Sequence, residues 1–458
     1  MIYWLLRALV RHALRVFFRR LEVEGLERVP PEGPLILAAN HPNTLLDVFL
    51  VAATLDRKVG FVGKATLFKN PVFGPLLRFF DAVPVERAED GPVTEEARRR
   101  NEAALAACED AAARGSAILI FPEGVSQDQP RLQRLKTGMA RIALAAERRV
   151  PGRVAVVPVA LTYDDPETFR SRARVIFGEP IPVHPYARLS EEAERTGGDR
   201  FQAARALTEA VREALLAMVV HVEDAAHDPL LAELDLLYGR VVGHEAGGRL
   251  AATAAIARAV NAFAQWEPER VERVRGLLAS YRSALQAAGV EDRVLRGALG
   301  PRPGTGEDLA FWLGAPLALW GALNHAIYYQ IPRTLVWLLR VEKTYASSVK
   351  LVVGLIGLFA CYALQTWAVV HWFGGIAGLI YAGTLPLSGL IALAWGEALF
   401  ARLRARASRR ALARLSPATK DELRARRGEL LRELDRARVA FLARELAPAG
   451  GEEEQEPF

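Results

Sequence analysis

Between residues 30 and 185 the chain alternates two kinds of hydrophobic pattern. Short apolar runs rich in β-formers lie at Leu35–Ala39, Val59–Val62, Ala82–Val85, Ala117–Phe121, Ala155–Leu161 and Ala173–Phe177. Longer stretches with helical spacing of apolar positions separate most of them, among them Asp47–Leu55, Leu67–Phe80, Thr94–Ala113 and Leu135–Arg149. This alternation predicts an α/β fold with a mainly parallel sheet flanked by helices. In such a sheet, side chains that carry chemistry gather at the strand ends, where the loops converge.

The flanking segments follow other patterns. Residues 1–20 predict a helix in which Arg7, Arg11, Arg15 and Arg19 recur every fourth position beside Trp4, Leu5, Leu9, Leu14, Val16, Phe17 and Phe18. Such a helix suits a membrane interface, with its guanidinium groups toward lipid phosphates. The other reading is a basic amphipathic helix docked on its own domain. No uninterrupted apolar core leads to a small-residue cleavage site, which argues against a signal peptide. Residues 190–305, rich in Ala, Glu, Arg and Leu, predict several helices without a chemistry-bearing pattern.

Three long stretches lack Asp, Glu, Lys and Arg: Leu309–Pro332, Leu351–Gly375 and Ile376–Gly396. Each is long enough to cross a hydrocarbon core of roughly 30 Å. The second and third meet at Phe373-Gly374-Gly375, which predicts a C-terminal membrane helical hairpin. Its outer ends carry Arg340, Lys343 and Lys350 on one side and Arg402, Arg404, Arg406, Arg409 and Arg410 on the other, which puts both ends in the cytoplasm. Leu403–Glu445 predicts a charged helix, and Gly450–Phe458 a disordered tail. The expected organisation is therefore 1–29 interface helix, 30–188 α/β domain, 189–305 helical region, 306–400 membrane-embedded region and 401–458 charged helical tail.

Composition changes this picture little. The 59 Lys and Arg residues exceed the 53 Asp and Glu residues only slightly, a mild bias toward an anionic partner such as phosphate or a membrane surface. No nucleic-acid module is recognisable. The two cysteines, Cys108 and Cys361, are far apart, which suits a reducing compartment and excludes a disulfide framework. No His, Cys and carboxylate cluster has metal-ligand spacing, so no metal is expected.

The candidate chemistry begins at Asn40-His41-Pro42-Asn43-Thr44-Leu45-Leu46-Asp47, directly after an apolar run. A strand that delivers a histidine, followed by an acid able to hold it, is the layout of a general base and its orienting carboxylate. Lys64 ends the run Phe61-Val62-Gly63, and Arg87 ends Asp81–Glu86. Both suit phosphate binding, Arg with a planar two-pronged grip and Lys as a mobile point charge. In Phe121-Pro122-Glu123-Gly124-Val125-Ser126, Glu123 suits a bond to a substrate hydroxyl or to Arg87, and Gly124 a close approach of backbone to ligand. Val157-Pro158-Val159 closes the series. Taken singly, each also reads as a cap, a turn or a solvated strand end.

Their joint order resembles the glycerolipid acyltransferase superfamily. Its first motif is matched by Asn40–Asp47, its second by the segment ending at Arg87, its third by Phe121–Gly124 and its fourth by Val157–Val159. The resemblance covers roughly residues 30–180. Most of the family has four residues between His and Asp, whereas five stand between His41 and Asp47. That longer spacing is similar to a subgroup of glycerol-3-phosphate/dihydroxyacetone-phosphate acyltransferases, as are Ser126, Asp128 and Leu135-Lys136-Thr137-Gly138 after the third motif.

The resemblance implies acyl transfer from a thioester, acyl-CoA or acyl-ACP as co-substrate with no other cofactor, to a glycerol-phosphate hydroxyl. It implies His41 as base, Asp47 as its partner, and Lys64, Arg87, Glu123 and Gly124 as substrate-binding residues, with Lys136 a weaker phosphate candidate. Membrane lipids are the expected surroundings, on a cytoplasmic or inner membrane with the catalytic domain facing the cytoplasm. Alternatives of the same chemistry are lysophosphatidate or other lysophospholipid acyltransferases; one of another class is a non-catalytic lipid-binding scaffold. A cytoplasmic domain conflicts with a crossing by Leu309–Pro332. That stretch, with Asn324-His325 at its middle, is therefore expected to be re-entrant, interfacial, or a short helical pair returning to the same side.

Overall fold

The structure is a computed structural model that describes residues 2–69, 73–80, 82–86, 94–127, 131–243, 249–296, 305–341 and 343–445. Arg87, Asp128 and the tail Gly450–Phe458, named above, lie outside the described residues. The chain divides into two compact units, one of residues 1–219 with 328–360 and one of residues 220–327 with 361–458.

The first unit is built on a sheet. Its strands are β1 (Arg20–Glu24), β2 (Leu35–Ala39), β3 (Val59–Lys64), β4 (Val83–Val85), β5 (Ala117–Ile120), β6 (Ala155–Tyr163), β7 (Arg172–Phe177) and β8 (Ile181–Pro182). Among the described residues they order β1-β7-β6-β2-β5-β3-β4, with β8 paired to β6. All pairings are parallel except those of β6 with β7 and β8. The helices are α1 (Ile2–Phe17), α2 (Thr44–Thr54), α3 (Phe73–Phe79), α4 (Glu95–Ala113), α5 (Gly138–Arg149), α6 (His184–Thr196) and α7 (Gln202–Met218).

β2 explains why the strand runs read as continuous apolar segments. All five of its residues are buried, because both faces of a parallel sheet are covered. Its period of two splits it between two cores: Leu35, Leu37 and Ala39 join Leu14, Phe17, Leu46 and Leu50, and Ile36 and Ala38 join Met139, Ile142, Leu207 and Val211. Helices α1 and α2 thus cover one face, and α5 and α7 the other.

Several boundaries differ from the expected ones. The N-terminal helix stops at Phe17, and Arg20–Glu24 pairs with β7 as an edge strand that the pattern of arginines concealed. Arg7 turns toward the domain, where it bonds the Ala52 carbonyl and the Asp56 carboxylate. The helix is docked through Leu14 and Phe17, leaving Ile2, Trp4 and Leu5 exposed at its start. The stretch expected to be helical over 67–80 is a 3-10 turn, Ala65–Lys69, followed by α3. The boundary expected at residue 188 falls inside this unit, because Leu207, Val211 and Leu215 of α7 are part of the core beneath the sheet.

In the second unit, α8 (Asp228–Gly243), α9 (Arg249–Trp266), α10 (Pro268–Ala287), α11 (Asp292–Leu295) and α15 (Pro417–Glu445) form a helical assembly. Leu234, Phe263, Val274, Leu278, Leu434 and Phe441 lie in its core. The apolar stretches fold as α12 (Thr305–Leu338), α13 (Lys343–Phe373) and α14 (Gly375–Arg414). The last two are joined at Gly374, whose φ of +87° suits glycine, and Gly378 lets α14 approach Val370. Tyr345–Phe373 and Gly375–Arg414 are long and apolar enough to cross a membrane, and only 22% and 17% of their most apolar windows are buried. A core helix of a soluble domain would be mostly covered.

The re-entrant or paired-helix arrangement expected for Leu309–Pro332 is not found: α12 is one continuous helix. Asn324 and His325 leave its backbone intact because their side chains bond carbonyls one turn earlier, at Trp320 and Gly321. They also reach across helices, Asn324 to Tyr381 and Gln365, and His325 to Tyr362. The charged segment after the hairpin is likewise two helices, α14 ending at Arg414 and α15 beginning at Pro417.

Candidate active site

Among the described residues, His41, Lys64 and Glu123 sit at the C-terminal ends of β2, β3 and β5. β2 ends at Ala39, and its register with β5 pairs Ala38 with Ile120. His41 therefore leaves the sheet at the level of Glu123. β3 pairs Phe61 with Leu119, which brings its last residue, Lys64, to the level of Pro122. Lys64 lies two strands from β2, roughly 10 Å across the sheet. It pairs with Val85 of β4, two residues before Arg87, which lies outside the described residues.

The loop carrying His41 is fixed on several sides. The Asn40 side chain accepts from the Leu161 N–H at 2.7 Å and donates to the Leu161 carbonyl at 2.9 Å, tying the end of β2 to β6. The His41 N–H donates to Glu123 at 2.8 Å, and its carbonyl accepts from the Gln127 N–H at 3.0 Å. Phe121 stacks on the imidazole, with ring centroids 3.8 Å apart and planes 15° from parallel.

His41 Nδ1 meets Asp47 Oδ2 at 2.8 Å, across the five-residue spacing. The chain manages this by a left-handed step at Thr44, φ +38°, at the start of α2. The wholly buried Asp47 accepts two further bonds, from the Asn43 N–H at 2.7 Å and from the Tyr163 hydroxyl. Three donors offset the cost of burying this carboxylate. Burial, then the charge and hydrogen bond of Asp47, push the Tyr163 phenol well above its usual range, so it keeps the proton it donates. With Nδ1 held by Asp47, Nε2 is the ring nitrogen oriented for chemistry.

Glu123 and Gly124 both shape the loop after β5. Both Glu123 oxygens accept main-chain N–H groups, from His41 and from Gln133, each at 2.8 Å. The side chain is buried and braces the His41 loop against the loop after β5. Burial raises its carboxyl above the ordinary range, and the nearby Asp47 adds to this, while the two N–H bonds oppose it. Gly124 has φ +74°, and a Cβ there would stand 2.7 Å from Lys136 Nζ. The missing side chain thus makes room for Lys136, whose N–H also bonds the Pro122 carbonyl.

Tyr163 was not marked by the sequence pattern, and Ser126 was marked only by the resemblance. Tyr163 stands two residues past the expected end of β6, on the same strand face as Leu161. Ser126 Oγ accepts the Thr44 N–H at 3.0 Å.

A family model described as Acyltransferase matches residues 20–162. An uncharacterized acyltransferase of Schizosaccharomyces pombe is 25% identical over 48% of this chain and 44% of its own length. The glycerol-3-phosphate O-acyltransferase 1 of Saccharomyces cerevisiae is 26% identical, over 38% of this chain and 34% of its own. A lyso-ornithine lipid O-acyltransferase of Rhizobium meliloti is 33% identical, over 35% of this chain and 51% of its own. The chain thus spans less than half the length of the first two of these relatives.

Proposed function

We propose that the chain is a membrane-bound O-acyltransferase that moves a fatty acyl group from acyl-CoA or acyl-ACP to a hydroxyl of glycerol 3-phosphate or dihydroxyacetone phosphate, a reading supported by the match of residues 20–162 to the Acyltransferase family model. The observation that carries this reading is the buried His41–Asp47 contact of 2.8 Å at the strand ends, on the edge that also holds Lys64.

In the proposed reaction His41 Nε2 takes the proton of the acceptor hydroxyl as its oxygen attacks the thioester carbonyl. Asp47 holds the Nδ1–H tautomer and stabilises the imidazolium that forms. The tetrahedral intermediate collapses by breaking the carbon–sulfur bond, and the imidazolium proton goes to the departing thiolate. Ester and free thiol are the products, and no protein nucleophile is acylated. Lys64 and Arg87 are the proposed phosphate ligands, with Lys136 a weaker candidate.

The exposed apolar surfaces of α13 and α14 support attachment to a membrane, where the acyl chain of the product is soluble. The basic ends of this hairpin favour a cytoplasmic catalytic domain. The similarity to a lyso-ornithine lipid acyltransferase supports a second reading, in which the acceptor is a lysolipid such as lysophosphatidate.

The deciding experiment offers glycerol 3-phosphate, dihydroxyacetone phosphate, lysophosphatidate and lyso-ornithine lipid in parallel to the purified protein in lipid vesicles. Preferred transfer to the first two is expected; transfer confined to lysolipids selects the second reading. His41→Ala should lower transfer at least about 100-fold. A variant as active as the parent removes the base from the mechanism.

A further inference from the structure

The turn between His41 and Asp47 is held from far along the chain. Thr44 is β-branched, yet takes a positive φ of 38°, a conformation that such residues rarely adopt. It opens α2, and the Asn43 side chain makes no capping bond to that helix. Two first-turn N–H groups of α2 reach serines instead, that of Leu46 sharing its hydrogen with the Asn43 carbonyl. Ser126 Oγ accepts from the Thr44 N–H, and Ser348 Oγ accepts from the Leu46 N–H at 3.1 Å. Ser348 Oγ also lies 3.0 Å from Thr44 Oγ1. A hydroxyl has one proton and two lone pairs, enough for both bonds.

Ser348 belongs to the second turn of α13 and is buried. Its neighbours pin that turn to the loop after β6: Ser347 Oγ donates to the Pro166 carbonyl at 2.5 Å, and Lys350 Nζ donates to the Glu167 carbonyl at 2.9 Å. The apolar helix Tyr345–Phe373 has 29 residues, more than the roughly 20 that a bilayer core requires. Its first turns can therefore project from the lipid and still serve the site.

We propose that Ser348 is a positioning residue for the His41–Asp47 pair, which makes the start of this apolar helix an integral part of the active site. Leu46, whose N–H it accepts, directly precedes Asp47, and Thr44, whose hydroxyl it meets, carries the left-handed step that lets Asp47 reach the imidazole across five intervening residues. The inference rests on the reading of His41 as base.

The test uses the full chain in lipid vesicles, with acyl-CoA as donor and the acceptor preferred in the panel above. Ser348→Ala should lower kcat about 10- to 100-fold, the scale of a small misplacement of a catalytic group, and leave KM for donor and acceptor within about twofold. Thr44→Gly added to Ser348→Ala should recover several-fold of the lost kcat, because glycine takes a positive φ without a clamp. Ser348→Cys, close in volume but a weak acceptor, should show the same loss, which separates the lost hydrogen bonds from a packing defect. Unchanged kcat, a loss expressed in KM, or no recovery with Thr44→Gly overturns the proposal. His41→Ala measured alongside separates the two readings. If it is inactive while Ser348→Ala and Ser348→Cys are fully active, only the clamp is wrong; if it is fully active, base and clamp fall together.

Discussion

Tyr163 donates its phenolic hydrogen to the same Asp47 carboxylate that holds His41, so the last residue of β6 and the first turn of α2 meet at one buried group. Tyr163→Phe removes that donor and leaves an Asp47 oxygen without it. A loss of about 1.5–3 kcal/mol of stability is expected, as for a hydrogen bond to a charged group. kcat should fall about tenfold or more with KM little changed, as the carboxylate loses one of its anchors. Thermal melts and steady-state kinetics check both.

Glu123 gives a pH-dependent prediction. Its carboxyl is raised in the folded protein, chiefly by burial. Between the unfolded and folded pKa values the native state binds the proton and the unfolded state does not, so stability falls as pH rises through this window. The stability of the parent relative to Glu123→Gln should therefore shrink as pH rises from the ordinary glutamate value, about 4, through the raised value of the folded state. The variant, which cannot present two carboxylate oxygens to the His41 and Gln133 N–H groups, should also lose activity at every pH. A stability difference that grows with pH would falsify this account.

Gly124→Ala should destabilise the domain by about 1–2 kcal/mol, the cost of a left-handed conformation with a Cβ. Its new methyl would also press on Lys136. Combining it with Lys136→Ala relieves the contact but not the backbone strain. The double variant is expected to be less destabilised than the sum of the two single ones. Strict additivity would show that the two residues do not press on each other.

The hairpin makes a topological prediction. With Cys108 and Cys361 replaced by alanine, a cysteine at Gly375, where a Cβ meets nothing within 4 Å, should react with an impermeant thiol reagent only from the non-cytoplasmic face. Cysteine replacing Arg404 should react only from the cytoplasmic face. Labelling of both from the same side excludes the pair of crossings.

The sheet and the His41–Asp47 pair were legible because both are local. A buried strand shows as an apolar run, and His41 and Asp47 lie six positions apart. The unread parts depended on contacts between distant segments. Arginines at every fourth position look alike whether a helix faces lipid or its own domain, and only the Arg7 bonds to Ala52 and Asp56 separate the two. Glu123 has the same neighbours in sequence whether it holds a substrate or two main-chain N–H groups. Ser348 stands 304 residues from Thr44, and no spacing rule links them. Asn324 and His325 suggested a broken helix, because a polar pair in an apolar stretch does not reveal that neighbouring helices supply partners.

The paired bonds between Asn40 and Leu161 let an amide side chain act as one more backbone rung between β2 and β6. His41, the proposed base, is thus the first residue beyond the last rung, and its main chain shares the stiffness of the sheet. Warming should not loosen it gradually: the catalytic rate should hold until the α/β domain melts cooperatively, and protein cooled from just below that point should regain its full rate.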